Sequence, residues 1–98
     1  MPASANSTVS LEDRVTSTLA VMTKLTADGF KVAGIVMGQA EGILILEFTP
    51  RCRKLLGSVR RIFRDHTGQN LELEIVINNV RVRWIQPYFP PVPAQGIH

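Results

Sequence analysis

The side chains best placed for chemistry are two carboxylates on one predicted strand, Glu72 and Glu74. Residues two apart on a strand share a face at a separation of roughly 7 Å, which suits a paired general acid and base. Arg81 and Arg83 are predicted on the same face of the next strand, where they would keep both carboxylates ionised. The pattern therefore favours a structural lattice of charges over catalysis.

Other catalytic or metal-binding patterns are weak. Asp65 and His66 are adjacent, but neighbours near a helix end point in different directions. The single cysteine, Cys52, and the two histidines, His66 and His98, lack the close ligand spacing of zinc sites. The sequence contains no phosphate-binding loop, dinucleotide glycine pattern or nucleophile elbow. We therefore predict that the protein is not an enzyme and uses neither a metal nor a cofactor.

The strongest functional signal is positive charge concentrated between residues 51 and 65. This stretch holds six basic residues and one acidic residue, whereas the rest of the chain holds five basic and seven acidic residues. At the period of an α-helix, the apolar residues of the stretch fall on one arc and most basic residues lie opposite. The apolar arc comprises Cys52, Leu55, Leu56, Val59, Ile62 and Phe63.

These features predict a second, basic amphipathic helix. Thr49 can act as its N-cap, Pro50 suits the first helical position, and Gly68 can end it in a left-handed conformation. Only one acidic residue lies within the stretch, so the ion pairs that normally cover a solvated helix are missing. The residues predicted to bind an anionic partner are Arg53, Lys54, Arg60, Arg61 and Arg64.

Nucleic acid is the leading candidate for that partner, because phosphate attraction requires collected positive charge rather than a defined motif. An acidic protein surface would satisfy the same charges. Neither an RNA-recognition motif nor a helix-turn-helix is matched. The simplest alternative is that the basic side chains only solvate the outer side of a helix.

The remaining elements follow from caps, alternation and turns. Ser10 opens a first amphipathic helix that closes at Gly29, with Leu25 and Phe30 positioned to touch across a Schellman motif. Strands are predicted at 31–37 and 43–48, joined by a glycine-flanked loop, and a second hairpin turns at 78–79. Its register sets Leu73 opposite Trp84 and Glu74 opposite Arg83.

The predicted fold is therefore α+β, in the order helix-hairpin-helix-hairpin (αββαββ). It is a two-layer sandwich in which a four-stranded, mainly antiparallel sheet carries both helices on one face. Residues 10–86 form the single domain, residues 1–9 a disordered N-terminal segment, and residues 87–98 a proline-rich, extended C-terminal tail.

The first hairpin is apolar on both faces, which two helices on one side of the sheet cannot cover. We predict that Val36, Ile43 and Ile45 form a dimer or ligand face, and that the protein is a homodimer. The alternatives are that Tyr88 and Phe89 of the tail cover this face, or that it binds a small molecule. The sequence shows no signal peptide and no apolar run long enough to span a membrane, and its lone cysteine suits a reducing compartment, so we expect a cytoplasmic protein.

Overall fold

The computed structural model describes residues 10–88, which contain one α-helix, one 3-10 helix and five β-strands. In chain order these are α1 (Leu11–Ala27), β1 (Lys31–Met37), β2 (Gly42–Glu47), the 3-10 helix (Pro50–Lys54), β3 (Ser58–Asp65), β4 (Gly68–Ile77) and β5 (Val80–Pro87). The strands form a single sheet in the order β1-β2-β5-β4-β3. All neighbouring strands are antiparallel except β2 and β5, which are parallel.

The predicted αββαββ sandwich with a four-stranded sheet and two helices is therefore wrong. The chain is a small α+β fold with one α-helix and a five-stranded mixed sheet. The segment that was expected to supply the second α-helix instead forms the 3-10 helix and the edge strand β3. The predicted N-terminal segment, residues 1–9, lies outside the described residues, as do residues 89–98 of the tail predicted at 87–98. Pro87, which was assigned to that tail, is the last residue of β5.

The ends of α1 were predicted correctly, because they depend on local capping chemistry. The side chain of Ser10 accepts a hydrogen bond from the backbone N–H of Asp13 at 3.1 Å. At the other end Gly29 has a φ of 96°, a conformation that glycine adopts without penalty. The Phe30 N–H then donates to the Leu25 carbonyl at 2.9 Å, which closes the Schellman motif.

The second hairpin also has the predicted register. Leu73 lies opposite Trp84 and Glu74 lies opposite Arg83. The two turn residues, Asn78 and Asn79, both have positive φ angles, of 50° and 65°. Asparagine tolerates this left-handed conformation, so the turn chemistry and the alternation of apolar residues specify the same pairing.

A β-bulge explains why β3 resembled a helix. Val59 pairs with Leu73 and Arg61 pairs with Glu72, so Arg60 is an extra residue in β3. The extra residue places the next apolar side chain on the same face, Ile62, three positions after Val59 rather than two. A spacing of three residues fits the period of an α-helix, so the alternation expected of a strand could not be recognised in the sequence.

The sheet has two different faces. On one, the helix face, α1 packs against β1, β2 and part of β5. Trp84 is 1% exposed there, and Cys52 from the 3-10 helix is fully buried in the same core, as the sequence predicted for both residues. The buried core comprises Val21, Leu25, Phe30, Leu44, Leu46, Cys52, Leu73, Val80, Val82 and Trp84. The opposite face, the open face, has no helix packed on it within residues 10–88.

Candidate binding surfaces

A network of ion pairs crosses the open face over three strands. Glu74 on β4 is at its centre, and three arginines reach its carboxylate from both sides. The Nη1 of Arg81 lies 2.8 Å from Oε2 of Glu74, and the Nε of Arg83 lies 3.3 Å from the same oxygen. The Nε of Arg60 lies 3.3 Å from Oε1. Glu74 therefore joins β3, β4 and β5 through charge as well as through backbone pairing.

Two further carboxylates complete this charge lattice. Glu72 accepts hydrogen bonds from Arg61 and from Arg60, whose Nη1 lies 2.8 Å from Oε2. The bulge makes this double contact feasible, since it brings two consecutive arginines of β3 over one carboxylate. Glu41 pairs with Arg81 at the other end of the lattice. The predicted structural role for the carboxylates of Glu72 and Glu74 therefore has direct geometric support.

The electrostatics of Glu72 disfavour an acid–base role. The hydrogen bond from Arg61 is the main cause that lowers the pKa of Glu72 below its usual value, and Arg60 adds to the effect against the opposing cost of desolvation. A carboxylate with a lowered pKa stays ionised near neutral pH and is a poor proton donor. Asp65 also has a lowered pKa, mainly because the hydroxyl of Thr67 donates a hydrogen bond to it within the β3–β4 turn.

Apolar side chains lie beside the lattice on the open face. The three residues predicted for a dimer or ligand face lie on one surface, because Val36 pairs with Ile43 across β1 and β2 and Ile45 follows Ile43 by two positions on β2. Ile45 lies beside Arg83 of β5 in parallel register. Ile85 extends this surface, and it lines a shallow depression with Ile45 and Arg83. We define the apolar open face as Val36, Ile43, Ile45 and Ile85.

The five basic residues predicted to bind an anion do not form one surface. Arg60 and Arg61 lie on the open face within the charge lattice, whereas Arg64 pairs with Gln69 on the opposite face of β3. Arg53 and Lys54 belong to the 3-10 helix, where Arg53 lies over the ring of Phe48 at 5.3 Å. The acidic partners of Arg60 and Arg61 come from β4, outside the basic stretch of the sequence.

The described part of the chain shows neither a metal-binding cluster nor an exposed thiol. Residues 10–88 contain no cluster of three His, Cys, Asp or Glu side chains that could hold a metal ion. Cys52 is fully buried, and its Sγ lies 3.7 Å from the Glu47 carbonyl oxygen. No helix among these residues has the length and hydrophobicity required to cross a membrane.

Comparison with known proteins gives no further guide to function. No family model, curated protein or solved structure matches the chain.

Proposed function

We propose that the protein is a non-enzymatic interaction module that forms a homodimer through the apolar open face. The observation that carries the proposal is the exposure of three large aliphatic side chains on one side of the sheet: Val36 is 48% exposed, Ile45 40% and Ile85 47%. They occupy adjacent strands, so they present a continuous surface rather than scattered contacts. Contiguous apolar surface of this kind typically marks an interface.

The surface suits a second copy of the same chain. A twofold interface must be self-complementary, because each patch meets its own copy. On the open face, four arginines and three glutamates already pair within the chain, so little unbalanced charge opposes a like copy. Sheets that pack face to face in this way bring their aliphatic side chains into a shared layer about 10 Å thick.

Nucleic-acid binding stays a prediction, but it can no longer rest on one helix that presents all five basic residues together. The predicted helix is absent, and Arg60 and Arg61 are engaged by Glu72. A phosphate that displaced them would first have to break existing ion pairs. Arg53, Lys54 and Arg64 are the remaining candidates for a phosphate contact. The cytoplasmic location belongs to the same proposal and draws support only from the lone thiol of Cys52.

The proposal is tested by replacing one apolar residue at the centre of the apolar open face with a charged residue. Ile45→Glu should convert the dimer into a folded monomer, because the dimer would have to bury the new carboxylate without a partner. The matched control is Leu19→Glu, since Leu19 on α1 is 44% exposed and lies on the other side of the molecule. Light scattering coupled to size exclusion gives the mass of each variant, and circular dichroism checks that each is folded.

We expect dimer mass for the unmodified protein and for Leu19→Glu, and monomer mass for Ile45→Glu. A monomeric unmodified protein at high micromolar concentration would contradict the proposal. So would a dimer that persists in Ile45→Glu, because the interface would then lie elsewhere.

A further inference from the structure

The helix face is only partly covered. A helix with side chains is about 10 Å wide and neighbouring strands are about 4.8 Å apart, so one helix covers roughly two strands. In this sheet α1 covers the β1–β2 side, and the segment that ends at Gly57 passes over the ring of Trp84. Within residues 10–88 there is no second α-helix to cover β3 and the adjoining side of β4.

The uncovered area carries aliphatic side chains. Val59 and Ile62, on the helix face of the edge strand β3, are 52% and 53% exposed, and Leu56 just before the strand is 90% exposed. Ile62 pairs with the half-buried Leu71 on β4, which extends the apolar area inwards towards the core. We define the outer apolar surface as Leu56, Val59, Ile62 and Leu71. It does not overlap the apolar open face, which lies on the other side of the sheet.

Three basic residues that form no ion pair within residues 10–88 lie near this surface in the chain. Arg53 and Lys54 precede Leu56, and Arg64 lies on the same face of β3 two residues after Ile62. Among the described residues none of these three cations has a carboxylate within ion-pair distance, in contrast to the arginines of the open face. Positive charge without an ion-pair partner in residues 10–88 therefore lies on β3 itself at Arg64, and close to Leu56 in the chain at Arg53 and Lys54.

We propose that the outer apolar surface binds an acidic amphipathic α-helix of a partner protein. The aliphatic side chains stand perpendicular to the sheet, so they need a cover on the face of β3 and β4. A strand added at the edge of β3 would pair with its backbone but would leave these side chains exposed. A helix would fill the position next to the covered half of the sheet, and its acidic flanks would meet Arg53, Lys54 and Arg64.

Neither the terminal segments of this chain nor the open face of a second copy offers carboxylates that are free to pair with these basic residues. Neither residues 1–9 nor residues 89–98 include an Asp or Glu. In a second copy, Glu41, Glu72 and Glu74 are already paired with arginines. Nucleic acid would satisfy the basic residues, but phosphate contacts make no use of the aliphatic centre. An acidic amphipathic helix satisfies both features at once.

The probe is a fluorescent peptide of about 18 residues, whose helical length of about 27 Å matches the roughly 26 Å of β3. It carries leucines along one helical stripe and glutamates at its flanks. A scrambled peptide of the same composition tests whether the stripe is required. A single-stranded and a duplex oligonucleotide test the phosphate alternative. Binding of each probe to the full chain is measured by fluorescence anisotropy.

Two variants and two matched controls separate the apolar and the charged contributions. Ile62→Ser removes an aliphatic contact, and its control is Val76→Ser, since Val76 is similarly exposed but lies on the open face. Arg64→Glu reverses a flanking charge, and its control is Lys24→Glu on α1. Ile62→Ser is chosen over a charged substitution so that a change in binding can be separated from unfolding, and a thermal melt of each variant checks this.

We expect the striped peptide to bind, and both Ile62→Ser and Arg64→Glu to weaken it about tenfold, the effect typical of a central interface contact. Both controls should bind as the unmodified protein does.

No binding of the striped peptide, or equal binding of the scrambled peptide, overturns the proposal. Tighter binding of an oligonucleotide that responds to Arg64→Glu but not to Ile62→Ser assigns the surface to phosphates instead. A lower mass of Ile62→Ser in light scattering assigns it to a second copy. The proposal does not depend on the dimer, because Ile45→Glu should leave peptide binding unchanged.

Discussion

The contact between α1 and the sheet depends on the absence of a side chain at Gly42, and Gly42→Ala should disrupt it. Gly42 is the first residue of β2, and a Cβ built there would lie 1.9 Å from Oγ1 of Thr18 and 2.9 Å from its Cβ. Thr18 is buried on α1, and its hydroxyl donates to the Arg14 carbonyl at 2.7 Å. Rotating the Thr18 side chain cannot relieve the contact, because its own Cβ is already too close.

The expected loss of stability follows from two opposing effects. Overpacking of a close contact costs about 1–3 kcal/mol, and a separation of 1.9 Å places Gly42→Ala near the upper end. Replacing a glycine also removes about 0.4–1 kcal/mol of conformational entropy cost on folding. The net expectation is that the free energy of unfolding falls by about 2 kcal/mol.

A double-mutant cycle tests the cause. Thr18→Ala removes the two atoms that meet the new methyl group at 1.9 and 3.0 Å, so it should relieve part of the strain of Gly42→Ala. The two changes should therefore couple by about 1 kcal/mol, with the double variant less destabilised than the sum of the single variants. The control is Gly34→Ala, where the new Cβ would lie 4.0 Å from its nearest neighbour, the Cβ of Ile45. That change should be neutral or slightly stabilising.

The assay is urea unfolding followed by the fluorescence of Trp84, the only tryptophan, at one fixed protein concentration because dimerisation would add to stability. Additive effects of Thr18→Ala and Gly42→Ala would refute the proposed contact. So would a Gly42→Ala variant as stable as Gly34→Ala.

Three further expectations concern the core and the charge lattice. Gly57→Ala should lower stability by about 1–3 kcal/mol, because its Cβ would lie 2.7 Å from the ring of Trp84 and 3.1 Å from the backbone oxygen of Glu74; unchanged urea unfolding would contradict this. Trp84→Ala should cost about 3–5 kcal/mol as a buried aromatic, and efficient iodide quenching of the unmodified protein would show instead that the ring is exposed. Glu72 has a lowered folded-state pKa, so its contribution is present above its usual value of 4.5 and is lost as the pH falls through the folded-state pKa. Glu72→Gln should therefore flatten the fall in stability on acidification, and an unchanged pH profile in urea unfolding would argue against the lattice.

Local chemistry explains the features that the sequence predicted correctly. The caps of α1 involve residues within a few positions of each other, as at Ser10 and Asp13. The second hairpin depends on a two-residue asparagine turn and on alternation along its strands, which together fix the pairing of Leu73 with Trp84. Each signal acts over a short distance along the chain, and no distant partner opposes it.

The sequence misled where a strand contained a bulge. The insertion of Arg60 gave Val59 and Ile62 a helical spacing. Pro50, predicted to begin the second α-helix, begins instead a 3-10 helix that extends only to Lys54. The expectation that the basic residues lack acidic partners was wrong for Arg60 and Arg61, for a related reason. A search for acidic partners along one helix could not find Glu72, which is adjacent to Arg61 only across paired strands.

The sequence alone therefore determined α1 with its caps, the hairpins β1–β2 and β4–β5, and the burial of Cys52 and Trp84, because turns, caps and periodicity are encoded over a few residues. Only the tertiary structure decided the sheet order, the parallel pairing of β2 with β5 and the division of the basic residues between two faces. These properties arise from contacts between residues far apart in the chain. Their energies depend on which strands meet, and no local pattern specifies that choice.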